Sequence, residues 1–243
     1  MNKIINTPNF INWFGDWKTG KNCSKVVDNN GYPLIVYHGS KNEFSEFSSK
    51  FMGQTGTVDG QGFYFTANKN EAHMYGDNVK GFYLNIRKPL SDSKITITKR
   101  QFMLFLDKLD SYQSNIDSDF GYGILSDYGD VDYEGRNNVL RHAVNITYSS
   151  VDSDVDLIGS IINASGDYNA VVKVLRETLG YDGVILKDKN IYVVHHPNQI
   201  KEINNNTFNN NSNNFYESRK KIYITESQFE WIKNNILIKK GSK

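Results

Sequence analysis

The sequence lacks long apolar runs and has very little cysteine. No apolar stretch approaches the about 20 residues that a membrane-spanning helix needs. Cys23 is the single cysteine, which excludes an internal disulfide framework and a cysteine-rich zinc site. The first ten residues contain no apolar stretch with a small-residue cleavage site, so no secretory signal is expected there. These absences predict a protein of the cytosol that does not enter a membrane.

The sequence also has very little net charge. The chain has 28 Lys and Arg against 27 Asp and Glu, a formal net charge of +1. From Phe215 onward seven Lys or Arg stand against three Glu, so the preceding body carries a net charge of about −3. A slightly acidic body has no electrostatic reason to bind the phosphate backbone of a nucleic acid. We therefore expect no nucleic-acid partner.

The sequence does contain ample core material, arranged in three zones. Hydrophobic residues make up 38% and aromatic residues 13% of the 243 positions, which excludes a disordered chain. Residues 7–89 are rich in strand patterns after a short helix that Thr7 and Pro8 open as N-cap and first helical residue. Residues 94–179 have mostly helical patterns, and residues 180–203 return to strands. This arrangement predicts the α+β class with a helical insertion.

Local patterns place the individual elements. Strands are predicted at 24–28, 33–38, 62–66, 79–86, 182–186, 191–195 and 199–203, with a hairpin signal at 29–31. A capping box at 98–101 begins one helix of the insertion, and Gly180 ends another that begins at Tyr168. The polar, acidic stretch 110–134 predicts a long loop.

Residues 204–243 are expected to form an appendage. Residues 204–214 include eight asparagines, so 204–215 is predicted to be a linker that buries no core. Residues 216–243 predict a short strand and an amphipathic helix. The apolar face of that helix must be covered by the body or by a docking partner.

Two patterns in the first zone can carry chemistry. His38 ends a strand and is followed by Gly39, so an imidazole and an unobstructed backbone can face a ligand. The alternative is a strand-end histidine bonded to a nearby carbonyl. Tyr64 lies in a second aromatic strand, and Tyr75 follows eleven residues later. Two such rings can enclose a planar cationic ring, although aromatic strands are also ordinary core material.

The order of these and other motifs is specific. The motifs are Phe10-Ile11-Asn12-Trp13-Phe14-Gly15, Ser24-Lys25-Val26-Val27-Asp28, Asn30-Gly31-Tyr32-Pro33, Tyr37-His38-Gly39, Tyr181-Asp182-Gly183, Tyr192-Val193-Val194 and Pro197-Asn198-Gln199-Ile200-Lys201. This series resembles ADP-ribosyltransferases of the His-Tyr-Glu group, which includes diphtheria toxin and the poly(ADP-ribose) polymerases. It resembles in particular the ADP-ribosyltransferase-like domains in polyvalent proteins of phages and conjugative elements. The resemblance covers about residues 8–90 and 180–203, and neither the insertion nor the tail.

The resemblance implies a split, two-sheet fold over residues 1–203 and a site for NAD⁺. By position, His38 would bond a ribose hydroxyl, and the backbone of Gly39 would hold the nicotinamide carboxamide. Tyr64 and Tyr75 would flank the nicotinamide ring, and Phe65 is expected to be a further cofactor-binding residue. Many relatives place a serine where this chain has Ala72, so that contact is either lost or supplied by another residue, for which Ser40 is the candidate.

The catalytic acid of the group is missing. The group's Glu immediately precedes the Tyr-Val-Val strand, and here that position is Ile191. Some relatives with a His-Tyr-Ile combination transfer single units, so the resemblance implies a mono-ADP-ribosyltransferase that modifies a protein acceptor in a host cytosol. The alternatives are a domain that binds NAD⁺ without turning it over and a virion-associated interaction protein.

No metal site is expected. Asp130, Asp132 and Glu134 match the first positions of a calcium loop, but Arg141 stands where the closing Glu belongs. A solvated acidic loop explains them better. His195 and His196 have no partner cluster and are interpreted as structural.

Overall fold

The chain forms a seven-stranded sheet with helices packed on it, in a computed structural model that describes residues 3–48, 62–116, 123–205, 207–209, 211–212 and 215. The strands are β1 (Val36–Ser40), β2 (Phe63–Thr66), β3 (Asn78–Leu84), β4 (Pro89–Leu90), β5 (Gly183–Leu186), β6 (Ile191–Val194) and β7 (Ile200–Glu202). The α-helices are α1 (Pro8–Phe14), α2 (Lys69–Ala72), α3 (Lys99–Ile116), α4 (Val131–Glu134), α5 (Arg136–Ser149), α6 (Asp154–Ser165) and α7 (Tyr168–Leu179). Single 3-10 turns lie at Lys3–Asn6, His73–Tyr75, Ile124–Asp127, Lys187–Lys189 and Pro197–Gln199. The predicted α+β class is confirmed.

The sheet is narrowest where β1 pairs with β2, at Tyr37 and Thr66, and we call this point the waist. Its strand order is β4-β5-β6-β2-β1-β3-β7, antiparallel except for the parallel pair β4–β5. Four residue pairs join β2 to β6 and five join β1 to β3, but only Tyr37 and Thr66 pair between β1 and β2. Where two sheets were expected, one sheet forms, and its two halves meet at this single pair. We call β4-β5-β6-β2 the four-stranded half and β1-β3-β7 the three-stranded half.

The helical insertion covers one face of the four-stranded half. Side chains from α3, α5, α6 and α7 share an apolar core with Val184, Leu186 and Val193 of the sheet. The predicted helix from Tyr168 is α7, and Gly180 ends it in the left-handed conformation at φ 76°. The α6 residue Asp154 is fully buried and accepts bonds from the backbone N–H groups of Thr96 and Ile97 at 2.7 and 3.0 Å. These bonds attach the strand-to-helix connection to the helical layer.

The loop predicted over 110–134 is wrong in most of its described part. Helix α3 continues to Ile116, and residues 124–127 and 131–134 form a 3-10 turn and α4. Asp110 is only 4% exposed, accepts a bond from Leu125 N–H at 2.9 Å and forms an ion pair with Arg136. Arg136 also contacts Asp107 at 2.9 Å. Asp110, at the start of this stretch, is therefore buried in an ion pair, which composition alone does not indicate.

The three-stranded half has an aromatic core, and the Asn-rich segment belongs to it. Phe208 packs on Phe10 and Trp13 of α1 with ring centroids 5.0 and 5.4 Å apart, and it is 2% exposed. Phe215 is fully buried against Phe82 of β3 at 5.2 Å. The prediction that 204–215 buries no core is therefore wrong for these residues, because two phenylalanines among the asparagines supply the apolar contacts. The segment 216–243, with its predicted strand and helix, lies outside the described residues.

The amino-terminal predictions hold in part. Thr7 Oγ1 accepts the N–H of Phe10 at 3.3 Å and caps α1, as its sequence predicts. The predicted hairpin signal at 29–31 forms a turn, in which the Asp28 N–H donates to Tyr32 O at 2.8 Å. The segments on either side of the turn pair only at the bridge between Val27 and Pro33, so the strand predicted at 24–28 does not form. None of the described helices is long and apolar enough to cross a membrane.

Candidate functional site

The imidazole of His38 crosses the waist of the sheet. Its Nδ1 lies 2.8 Å from the backbone carbonyl oxygen of Tyr64, so β1 and β2 are joined by a side chain where their ladder stops. A carbonyl oxygen can only accept a hydrogen bond, so Nδ1 carries the proton. Burial lowers the pKa of His38 despite the opposing effect of the Tyr64 carbonyl. The ring is therefore neutral at pH 7, with Nε2 as a hydrogen-bond acceptor.

Aromatic rings hold this imidazole in place. The centroids of Phe44, Phe47 and Phe65 lie 5.8, 5.1 and 5.4 Å from that of His38. Phe65, expected to adjoin the cofactor, is 3% exposed and lies in the aromatic core next to the imidazole. Its position in the core makes it a support for His38.

Gly39 fixes the segment that carries Tyr75 against β1. A Cβ at Gly39 would lie 1.8 Å from the carbonyl oxygen of Ala72, and one at Gly76 would lie 2.2 Å from the carbonyl carbon of Ser40. Both glycines are needed for this close backbone contact. The contact places the 3-10 turn of Tyr75 beside the strand of His38, and the Tyr75 side chain is 62% exposed. A ring with this exposure is free to stack on a ligand.

Ser40, the candidate for contact with the nicotinamide carboxamide, uses its hydroxyl within its own chain segment in this structure. The Ser40 hydroxyl donates to Asn42 O at 2.9 Å and accepts the Asn42 N–H at 3.3 Å, which closes a local turn. Ala72 is 1% exposed, and its carbonyl covers Gly39.

Tyr64, Thr66 and Ile191 share one face of the sheet. Thr66 and Ile191 are directly paired between β2 and β6, and residues so paired point their side chains to the same face. Tyr64 is two residues from Thr66 on the same strand and lies on that face as well. Tyr64 and Ile191 both pack against the helical core. The pair expected to act on the nicotinamide and its ribose is thus on one surface.

The structure adds a carboxylate that the motif analysis did not select. Glu71 of α2 accepts a hydrogen bond from Thr66 Oγ1 at 2.7 Å and another from Asn68 Nδ2 at 3.1 Å. The signal in the sequence is Asn68 followed three residues later by Glu71, a helix-capping pattern. That pattern predicts a local role and does not by itself indicate that the carboxylate reaches the neighbouring strand.

The adjacent histidines that follow β6 are neutral, and His195 is buried while His196 is half-buried. His195 is 5% exposed, and burial, with lesser effects of His196 and Arg176, lowers its pKa to about 3. Burial and Arg176 lower the pKa of His196 to about 4. The ring of His195 meets Tyr168 edge-on at 6.3 Å. Burial, with a smaller effect of Tyr64, raises the pKa of the Tyr168 hydroxyl, so these three side chains are uncharged at pH 7.

In the described part of the chain, no group of three or more His, Cys, Asp or Glu could hold a metal ion. Asp130 instead caps α4, where its carboxylate accepts the N–H groups of Asp132 and Tyr133, both at 3.0 Å. The three residues at the start of the calcium-loop pattern therefore belong to a helix end.

Comparison with known proteins gives the family. A family model described as ADP-ribosyltransferase in polyvalent proteins matches residues 28–210. The match is continuous over the helical insertion, which the sequence motifs alone did not cover. A solved structure titled "Crystal structure of an anti-CRISPR protein" is 16% identical, covers 67% of this chain and 89% of its own, and superposes with a TM-score of 0.24, too low to carry an argument. No curated protein matches. Because the family model spans well over half of the sequence, this chain belongs to the family of ADP-ribosyltransferases in polyvalent proteins.

Proposed function

We propose that the protein is a mono-ADP-ribosyltransferase that uses NAD⁺ as the donor and a protein as the acceptor. The observation that carries the proposal is the bond between His38 Nδ1 and the Tyr64 carbonyl, 2.8 Å long. It joins the first two residues of the group's catalytic set and leaves Nε2 as an acceptor for a ribose hydroxyl. Family membership supports transferase chemistry, and the donor set of the cleft fits NAD⁺.

The fit to NAD⁺ rests on three chemical features. His38 offers a neutral acceptor atom for a sugar hydroxyl. Tyr75 offers an exposed ring, and Tyr64 offers a half-buried one, for a planar cationic ring. Gly39 and Ser40 lie on the part of β1 that extends beyond the single pair with β2, so their backbone faces the waist of the sheet. NAD⁺, when bound, would supply an activated C1′–nitrogen bond.

Transfer of one unit follows from the residue at position 191. A carboxylate at that position would help a ribose hydroxyl to act as the next acceptor, and Ile191 has none. Chain growth on a first ADP-ribose is therefore disfavoured. An acidic side chain of a protein needs no deprotonation at pH 7, so we propose Asp or Glu as the modified residue. In this proposal the protein is encoded by a phage or mobile element and acts in the host cytosol.

The second candidate is a module that binds NAD⁺ without turnover. The observation that favours it is the packing of Ile191 against the helical core, which leaves an apolar surface where the group places an acid. A virion-associated protein that docks through residues 216–243 is compatible with either activity, because none of the proposed site residues belongs to that segment.

Host lysate incubated with the protein and isotopically labelled NAD⁺ tests the proposal. We expect mass spectrometry to find single ADP-ribose units on acidic side chains, and none with the His38→Ala variant. NAD⁺ binding without modification in any lysate, and without release of nicotinamide, would establish the non-catalytic candidate instead.

A further inference from the structure

The carboxylate of Glu71 is hydrogen-bonded to Thr66, the residue that pairs with Ile191. Thr66 and Ile191 are paired across β2 and β6, with side chains on the same face. Thr66 Oγ1 donates to Glu71 Oε2 at 2.7 Å. We propose that Glu71 supplies a carboxylate that stabilises the positive charge developing on the nicotinamide ribose, while position 191, where the group has the acid that activates an incoming hydroxyl, stays apolar. This inference rests on the proposed transferase function.

Neighbouring groups hold Glu71 in one orientation. Oε2 accepts from the Thr66 hydroxyl and Oε1 accepts from Asn68 Nδ2, so each carboxylate oxygen is fixed by one bond. Thr66 is 8% exposed, and its Oγ1 also accepts the Asn68 N–H at 3.1 Å. A carboxylate has about four acceptor sites, so each oxygen keeps capacity for a ligand hydroxyl. Glu71 itself is half-buried, so part of its side chain stays accessible to a ligand.

Glu71 is also on the segment that carries Tyr75. Residues 69–72 form α2, and the 3-10 turn that ends in Tyr75 follows directly. The contact between Gly39 and the Ala72 carbonyl presses this segment on β1. One segment, packed on β1 next to His38, therefore carries both an exposed aromatic ring and a carboxylate. A planar cation between the tyrosines would lie within reach of the negative charge.

The chemistry requires no further reactant. The C1′–nitrogen bond of NAD⁺ breaks, and its electron pair leaves with nicotinamide, which becomes neutral. A lone pair on the acceptor oxygen forms the new bond to C1′. Glu71 makes no bond to C1′. It accepts a hydrogen bond from the ribose hydroxyl and stabilises the positive charge that develops on the sugar. With water as acceptor, the released proton passes to solvent.

A helix cap is the competing explanation of Glu71. Asn68 is the N-cap of α2 and Glu71 is the third residue of that helix, where Glu and Gln both serve in capping boxes. Glu71→Gln keeps the side-chain length and an acceptor oxygen for Thr66 but removes the charge. A capping role therefore survives this substitution, and the proposed electrostatic role does not.

The experiment measures nicotinamide release from NAD⁺ by the full chain, with thermal melting of each variant. We expect Glu71→Gln to melt like the wild type and to lose at least about tenfold in release rate, since one positioned charge typically contributes ~10² or more. Adding Ile191→Glu to Glu71→Gln returns a carboxylate to the same face and should recover most of the rate. Asp188→Asn, which removes another exposed acid three residues before Ile191, should change nothing.

Binding gives a readout that does not depend on turnover. NADH carries no positive charge on its nicotinamide, so a nearby carboxylate favours NAD⁺ over NADH. We expect calorimetry to show the ratio of the two dissociation constants change by at least about threefold in Glu71→Gln. If Glu71→Gln changes neither the rate of nicotinamide release nor the ratio of the NAD⁺ and NADH dissociation constants, the role of Glu71 is overturned. The proposed transferase function is not affected by that result. A wild type that binds NAD⁺ but neither releases nicotinamide nor modifies any protein in host lysate would overturn the transferase and this role together.

Discussion

The α-carbon of Gly39 faces the carbonyl oxygen of Ala72 so closely that a Cβ would lie 1.8 Å from it. The glycine after His38 therefore serves the packing of β1 on the segment that carries Glu71 and Tyr75. A side chain at this position must push that segment away from the strand. The position of Tyr75 relative to His38 depends on this contact.

We predict that Gly39→Ala lowers the free energy of unfolding by about 1–3 kcal/mol, the usual cost of overpacking. NAD⁺ affinity should fall with it, because Tyr75 moves relative to His38. Urea denaturation and NAD⁺ titration measure the two effects. The matched control is Gly159→Ala in α6, where a Cβ meets nothing within 4 Å and should stabilise the helix by about 0.5–1 kcal/mol. Equal behaviour of the two variants would contradict this account of the cleft.

The ring of Tyr75 is expected to contribute to binding and not to folding. It is 62% exposed, so Tyr75→Ala should leave the melting temperature nearly unchanged. Loss of stacking on a cationic ring should weaken NAD⁺ binding by about 1–2 kcal/mol, or roughly 5- to 30-fold. Tyr133→Ala, which removes an 89% exposed ring on α4, is the control and should bind like the wild type. An unchanged NAD⁺ affinity in Tyr75→Ala would remove this residue from the site.

Acid should destabilise the fold through the histidines after β6. The pKa of His195 is lowered to about 3 in the folded chain, below the ordinary value of 6.5, so the unfolded chain takes up protons first as the pH falls. The stability is then fully present above pH 6.5 and is lost progressively toward pH 3. His196 acts in the same direction. We predict a loss of about 2 kcal/mol between pH 6.5 and 5 for His195 alone.

Urea denaturation across that pH range measures the effect. His195→Phe removes the titrating group and should flatten the dependence. A wild type and a His195→Phe variant with the same slope would show that another group governs acid stability.

The Asn-rich segment is expected to contribute to the core through its two phenylalanines. Phe208→Ala and Phe215→Ala each remove a ring that is at most 2% exposed, and each should cost about 3–5 kcal/mol of unfolding free energy. Asn204→Ala, at an exposed neighbour, should stay within about 0.5 kcal/mol. A chain ended after Asn205 should accordingly be unstable, whereas one ended after Phe215 should retain NAD⁺ binding. Full stability of the shorter chain would contradict the packing of Phe208 and Phe215.

Much of this fold follows from local sequence patterns, and the exceptions have physical causes. The caps at Thr7 and Gly180 are determined by residues close in sequence, so their patterns predict them. Asp110 is buried because it forms an ion pair with Arg136, which is twenty-six residues away. No local pattern shows this pairing, so the acidic stretch was wrongly predicted to be a loop. Phe208 and Phe215 were overlooked because composition averages a segment and hides two residues that reach the core.

The candidate site divides in the same way. His38, Gly39, Tyr64 and Tyr75 lie in ordered motifs, and the structure brings His38 to Tyr64 and Gly39 to the Tyr75 segment. The reason for the glycine was not predictable, since the backbone of Ala72 that requires it lies in another element. Glu71 was missed because its relation to position 191 passes through a strand pairing that no local pattern records.

The most direct test of the central claim is calorimetric titration of the folded wild type and the His38→Ala variant with NAD⁺. His142→Ala, which removes an exposed histidine on α5, is the control. We predict one NAD⁺ site per chain in the wild type and in His142→Ala, and a loss of at least about tenfold in affinity in His38→Ala, from the bond to the ribose and the link across the waist. A folded wild type that takes up no NAD⁺ at millimolar concentration, or a His38→Ala variant that binds it equally well, would contradict the account.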